Sequence, residues 1–200
     1  MECYRKLQST DYNNTNSITY ILLVAVVLTF TKKIKWLAKF ALGITNLFVG
    51  IVFFGIYGTE AIQKFFALPL FLLSGFLFLY ESIKNKEDII DKPNLWQILL
   101  LMLYIFYPII SILLGNSFPQ MITYIMPCPI ISLGIVIYLG IVIYSCYKKR
   151  NKLLLVLLNI WGLTGIKSII FNAYEDMILL LCGLYGVLLV KKDIKMNESK

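Results

Sequence analysis

The chain alternates long apolar runs with short polar breaks, and this pattern limits its fold more than any other feature. A helix needs about 20 mostly apolar residues to cross a bilayer. Seven runs approach or reach that length, at residues 18–31, 36–58, 65–80, 95–115, 130–147, 153–171 and 177–190. The pattern therefore predicts an all-α integral membrane bundle of about seven transmembrane helices, whose main partner is the lipid bilayer.

Composition supports this fold class and excludes several functions. Of the 200 residues, 59% are hydrophobic and 15% charged, whereas a soluble domain has about 45–50% and about 25%. The sequence has no histidine, and its four cysteines show no CxxC spacing. Histidine is the commonest general base and metal ligand. We therefore expect neither an enzyme nor a metal or cofactor site.

The distribution of cations predicts the orientation. Lys32 and Lys33 follow the first run, where a signal peptide would have a cleavage site, so we expect that run to be retained. With seven spans, fifteen of the 19 Lys and Arg residues lie on one side and three on the other. The positive-inside rule then places the N-terminus outside and the C-terminus in the cytoplasm of a plasma-membrane protein. The net charge of +8 needs no nucleic acid to explain it.

This topology gives one polytopic domain over residues 1–200. The outer tail comprises 1–17, the transmembrane bundle 18–190 and the cytoplasmic tail 191–200, which we expect to be frayed. Lys39 counts as a cytoplasmic cation, and the loop 81–94 is interpreted as a solvated connector.

The first three and last three runs allow an internal repeat. Asn46 and Asn159 occupy corresponding places in the second and sixth runs, and Glu60 and Glu175 follow them. A parallel 3+1+3 duplication, in which one linker helix joins two three-helix repeats, is one interpretation. The other is that any two amphiphilic hairpins align this well.

Polar side chains inside the runs are the candidate site. Asn46 and Asn159 could line a polar pathway, or only form interhelical hydrogen bonds. Trp161 is the adjacent aromatic candidate, with bundle packing as its alternative. Lys167 could contact an anion in a cavity, or snorkel towards the acidic turn at 172–176.

The outer side offers two further candidates, Glu60 and Cys128. With the acidic Glu175 and Asp176 on the same side, they could form an entry site for a soft cation, whereas the simpler interpretation of the three carboxylates is solvated loop charges. Pro127-Cys128-Pro129 is either a non-helical element at membrane depth or a rigid helix start. Cys128 could also pair with Cys3.

The fourth and fifth runs carry a resemblance. It extends loosely from Lys32 to Val190 and depends on Tyr107-Pro108, on Leu114-Gly115-Asn116-Ser117-Phe118-Pro119 and on Met126-Pro127-Cys128-Pro129. This arrangement resembles a family of small bacterial multi-pass membrane proteins of unknown function, which has Tyr-Pro, Gly-His-x-x-Pro and Pro-Cys-Pro. Asn116 and Phe54 stand where that family has histidine, so a histidine-based role is not implied here. Some such proteins look like permeases.

Two functions remain open at this point. One is a permease for a small solute or ion, without its own ATPase, suggested by the repeat and the asparagine pair. The other is a membrane anchor, sensor or immunity-type interaction subunit with an unidentified protein partner.

Overall fold

The computed structural model describes residues 24–31, 34–56, 58, 61–106, 113, 129–166 and 177–198. Every regular element in these ranges is a helix, and each of the seven predicted runs contains one. The all-α prediction is confirmed. Two of the described helices, Leu37–Ile56 and Lys64–Lys84, are long and apolar enough to cross a bilayer, with mean hydropathies of 1.9 and 1.8. The count of seven spans stays a prediction.

The chain divides into two compact units. Unit 1 comprises Met1–Ile89 and Met126–Val136, and unit 2 comprises Ile90–Ile125 and Ile137–Lys200. Each unit contains a helical hairpin of its own.

Unit 1 begins with helix α1, residues 24–31, followed by the hairpin α2–α3. Helix α2 runs Leu37–Phe48 and continues as a π-helix over Val49–Ile56. Helix α3 occupies residues 61–84, with a π-helical segment Gln63–Ala67 ahead of the α-helix Leu68–Lys84. Pro69 lies at the start of that α-helix. A proline ring clashes with the carbonyl four residues earlier in a regular helix. The wider π-helical turns directly before Pro69 lie where they can relieve this clash.

Glycines set the distance between α2 and α3. A Cβ added at Gly43 would lie 2.8 Å from Leu79 Cδ2, and one at Gly75 would lie 2.7 Å from Leu47 Cγ. The two contacts step in opposite directions along the two helices, so the hairpin is antiparallel. Small residues let helices pack closely without help from the hydrophobic effect.

Unit 2 contains α4 (Leu95–Ile105), the C-terminal part of α5 (Pro129–Ser145) and the hairpin α6–α7. Helix α6 runs Lys152–Leu163 and ends in a 3-10 turn, Thr164–Ile166, and α7 runs Met177–Glu198. Asn151 caps α6, because its side chain accepts a hydrogen bond from the Leu153 N–H at 3.0 Å.

In the α6–α7 hairpin the glycines bring backbone against backbone. A Cβ on Gly183 would lie 2.7 Å from the carbonyl carbon of Gly162, and one on Gly165 would lie 2.7 Å from Leu180 N. Glycine spacing alone did not indicate this contact, since the chain has no GxxxG motif.

Two predicted boundaries are wrong. Helix α3 continues to Lys84, so Glu81 is helical rather than part of a loop. Helix α7 continues to Glu198, so the expected frayed tail is helical through that residue. Each extension contains a carboxylate paired with a cation, Glu81 with Lys39 and Asp193 with Arg150, which compensates for its polar composition. Tyr107-Pro108 lies outside the described residues, whereas Pro129 is the first residue of α5.

Candidate functional site

The first candidate, Asn46, lies on α2 and is completely buried. Its Nδ2 donates to the Leu42 carbonyl at 2.7 Å, and its Oδ1 has no hydrogen-bond partner among the described residues. Ser74, on α3, is also buried, and its Oγ is likewise without a partner there. Because Leu47 faces Gly75, Asn46 and Ser74 are each one residue away from a contact that joins the two helices.

The second candidate, Asn159, lies on α6 and is 4% exposed. Its side chain rests directly on Gly186 of α7, where an added Cβ would collide with Asn159 Oδ1. Neither polar atom of this amide is hydrogen-bonded in the part of the chain that the structure describes. The buried hydroxyl of Tyr185, next to Gly186, shares this condition. Van der Waals contact with Gly186 therefore positions the Asn159 side chain, while its amide makes no hydrogen bond with the described residues.

Other buried hydroxyls of the described helices are satisfied locally. Thr29 and Thr45 each donate to the carbonyl four residues earlier at 2.7 Å. Ser82 donates to the Leu79 carbonyl at 2.7 Å, and Ser145 donates to the Val142 carbonyl at 2.6 Å. Such back-bonding is the usual solution for a hydroxyl within a helix. A buried polar group left without a partner costs about 1–3 kcal/mol. The unpartnered atoms of Asn46, Ser74, Asn159 and Tyr185 therefore call for an explanation.

Each hairpin thus has one asparagine and one hydroxyl residue with unused atoms, Asn46 and Ser74 in unit 1 and Asn159 and Tyr185 in unit 2. The two sets, called the polar pairs, have the same sequence context. Ser74 precedes Gly75, and Tyr185 precedes Gly186, on the second helix of each hairpin. Hydropathy alone does not single out either residue, although a polar residue immediately before a glycine in the third and seventh runs is a usable signal. The similarity agrees with the predicted equivalence of Asn46 and Asn159, while duplication of the chain stays a prediction.

Of the remaining candidates, the structure describes only Trp161. Trp161 is half-buried and lies two residues after Asn159, which on a helix is about 200° around the axis. Lys167, Glu60 and Cys128 lie outside the described residues, as does Cys3. Their proposed roles therefore stay predictions.

A buried ion-pair cluster, which the sequence did not reveal, closes the α2–α3 hairpin at one end. Lys39 has no exposed surface, and its Nζ lies 2.9 Å from Asp88 Oδ2 and 3.8 Å from Glu81 Oε2. Asn85 Nδ2 also donates to Glu81 Oε2 at 2.7 Å. The interpretation of 81–94 as a solvated connector is wrong at Glu81 and Asp88, and Lys39, counted as a cytoplasmic cation, is buried against them. The reason is that the loop folds Asp88 back onto the start of α2.

A cation–carboxylate pair closes the α6–α7 hairpin at the corresponding end. Arg150 Nε donates to Asp193 Oδ2 at 2.8 Å, and Arg150 Nη2 donates to Asp193 Oδ1. Arg150 Nη1 donates to the carbonyls of Ser145 and Tyr147, at 3.0 Å each. The Asp193 carboxylate raises the pKa of the Arg150 guanidinium above its ordinary value. The pair fixes the turn before α6 against the C-terminal part of α7.

The chemistry that the described residues of the two hairpins offer is hydrogen bonding. Among the described residues, no group of three His, Cys, Asp or Glu side chains could share an ion. Residues 40–56 and 65–80 in unit 1, and 153–166 and 177–190 in unit 2, carry no charged side chain. The buried amides and hydroxyls are thus neutral donors and acceptors in apolar surroundings.

Comparison with known proteins identifies the family but no activity. No curated protein matches the chain. No solved structure matches it either. One family profile aligns with residues 8–200, nearly the whole chain, and on that match the protein belongs to DUF6064, a family of unknown function.

Proposed function

We propose that the protein is a multi-pass permease of the plasma membrane that passes a small solute or ion without an ATPase of its own. One observation carries the proposal: each hairpin contains a buried asparagine with unused hydrogen-bonding atoms, Asn46 in unit 1 and Asn159 in unit 2. Polar groups inside apolar helices are expensive and mark substrate pathways in membrane proteins.

Exposed apolar side chains support membrane embedding. On α3, Phe65 is 84% exposed and Phe76 60%, and on α7 Leu188 is 66% exposed. A large apolar surface of this kind indicates contact with lipid or with another protein. Together with two helices of spanning length, it favours a bilayer over water as the surroundings of these helices. The fifteen-to-three division of cations supports seven spans with a cytoplasmic C-terminus.

Transport by the purified protein tests the proposal. Proteoliposomes are loaded with a panel of radiolabelled neutral solutes and inorganic ions, and the flux of each is compared with that of empty vesicles. Asn46→Leu and Asn159→Leu keep the side-chain shape but remove the amide, and each should reduce the flux about tenfold, the effect of losing one hydrogen bond of about 1.4 kcal/mol.

The matched control is Thr45→Val, which removes a buried hydroxyl whose hydrogen bond is local. It should leave the flux within about twofold of the wild type, because no unused polar atom is lost. Flux no higher than in empty vesicles for every solute and ion would rule out a permease, and equal loss in the control would remove the asparagines from the pathway.

The second candidate, an anchor, sensor or immunity-type subunit, is favoured by one feature. The Lys39–Asp88 contact holds the loop after α3 in place, while Lys86 and Glu87 remain exposed on it. A fixed charged loop is a suitable docking surface for a protein. Stoichiometric co-purification of one partner, lost in Lys86→Glu and unaffected by Asn159→Leu, would support this role over transport.

A further inference from the structure

We propose that the transported solute is a neutral molecule that both donates and accepts hydrogen bonds, and that each hairpin contacts it by itself: Asn46 with Ser74 in unit 1, and Asn159 with Tyr185 in unit 2. The inference rests on the proposed permease function and adds the class of substrate and two binding residues.

The unused atoms determine the class of ligand. Asn46 contributes an acceptor, Oδ1, and Asn159 contributes both an acceptor and a donor, Oδ1 and Nδ2. The hydroxyls of Ser74 and Tyr185 can act in either sense. A ligand that satisfies these atoms must itself carry donors and acceptors, as amides and polyols do.

An ion fits the same surroundings poorly. Helical carbonyls are engaged within their own helix, and residues 40–56, 65–80, 153–166 and 177–190 have no charged side chain to balance an ion. Among the described residues, Lys39 is paired with Asp88 and Glu81, and Arg150 is paired with Asp193. An isolated charge in such surroundings is far more costly than a neutral hydrogen-bonding group.

Ser74 is assigned to unit 1's site because its hydroxyl is left unused where local bonds are common, and Tyr185 to unit 2's site because its buried hydroxyl has no partner among the described residues. Ser82, on the same helix as Ser74, bonds to a carbonyl one turn earlier, whereas Ser74 does not. Tyr185 is next to Gly186, against which the Asn159 amide is packed. Each hairpin therefore has an amide on its first helix and a hydroxyl on its second, beside a glycine contact.

In unit 1 a second feature lies beside this pair. The π-helix Val49–Ile56 begins three residues after Asn46. Widened turns of this kind often occur at functional sites, because they shift backbone and side chains out of the regular helical register.

The test separates the solute class from the permease function. Stopped-flow light scattering of proteoliposomes follows the entry of urea, acetamide and glycerol, and ion-sensitive dyes follow K⁺ and Cl⁻ in the same preparations. The inference expects flux of at least one neutral probe and none of either ion above empty vesicles. Ion flux without neutral flux would overturn the solute class and leave a permease, whereas no flux of any probe would overturn both.

Two variants test the new residues. Ser74→Ala and Tyr185→Phe each remove only a hydroxyl, and each should slow the neutral probe about fivefold to tenfold, as expected for one lost hydrogen bond. Their matched controls are Ser82→Ala, whose hydroxyl is bonded locally, and Tyr80→Phe, whose side chain is exposed. The controls should stay within about twofold of the wild type.

A bound water is the alternative occupant of these atoms. In that case Ser74→Ala and Tyr185→Phe would change the melting temperature but not the flux, and the assignment of both residues would be wrong. Monodisperse gel filtration of each variant ensures that a loss of flux reports on binding rather than on misfolding.

Discussion

The two hairpins share a design but differ in how their buried polar groups are satisfied. In α2–α3, Asn46 uses its amide donor on Leu42, and Lys39 is completely buried against two carboxylates. In α6–α7, Asn159 has no bond among the described residues, and Arg150 meets one carboxylate with 13% of its side chain exposed. In the first hairpin the costliest buried polar group is therefore the Lys39 ammonium in its ion-pair cluster. In the second hairpin it is the Asn159 amide, which lacks hydrogen bonds among the described residues. We therefore expect substitutions at the ion-pair cluster of α2–α3 to lower stability, and substitution of Asn159 in α6–α7 to lower flux without lowering stability.

The largest effect is expected at the buried end of α2–α3. Asp88→Ala leaves Lys39 without its nearest counter-charge, and removing one partner of a buried pair costs about 3–5 kcal/mol. Denaturant titration in detergent micelles measures the loss. The double variant Lys39→Met with Asp88→Ala should recover most of it, because no buried charge remains. A loss below about 1 kcal/mol in the single variant would show that Lys39 does not depend on this pair.

The glycine contacts should give the next largest effect. Gly183→Ala places a Cβ 2.7 Å from the Gly162 carbonyl carbon, so α6 and α7 must separate. Overpacking of this kind costs about 1–3 kcal/mol. Gly55→Ala in unit 1 is the control, since its nearest contact would be an ordinary 3.6 Å from the Gly50 oxygen. Equal melting temperatures for the two variants would contradict the backbone contact.

The half-buried pair of α6–α7 should contribute less than the buried one. Asp193→Asn weakens the two charge-assisted bonds from Arg150 and should destabilise the fold by about 1–2 kcal/mol. A raised pKa on a cation stabilises the folded state below its unfolded pKa, and this stability is lost only as the pH rises through the folded pKa. The Arg150 contribution should therefore stay constant from neutral to moderately alkaline pH. Parallel melts at several pH values check this, and a steep loss in that range would contradict the assignment.

The smallest expected effect is an increase in the free energy of unfolding. Asn159→Leu removes two buried atoms without partners among the described residues, and should stabilise the protein by about 1 kcal/mol while the flux falls. Asn46→Leu should gain less, because it also loses the bond to Leu42. Thermal melts alongside transport measurements show whether stability and flux move in opposite directions. Destabilisation by Asn159→Leu would indicate a structural role instead.

Much of the fold was predictable because hydropathy is a local property. The described parts of the runs around Asn46, Asn159 and Leu100 form helices, and their mostly apolar composition explains this. The ends of α3 and α7 were not predictable, because Glu81 and Asp193 are satisfied by cations far along the chain, Lys39 and Arg150. The composition of a segment shows that it contains a charged residue, but not whether a residue elsewhere in the chain pairs with that charge.

For the candidate site, the sequence alone determined that Asn46 and Asn159 lie in apolar helices and deserve testing. Only the tertiary structure decided that parts of their amides stay unused, that Ser74 and Tyr185 share this state, and that Lys39 is buried. The physical reason is that hydropathy depends on which residues a segment contains. Hydrogen-bond satisfaction depends instead on which face of a helix meets which neighbour, and here that is set by glycine contacts such as Gly186 against Asn159.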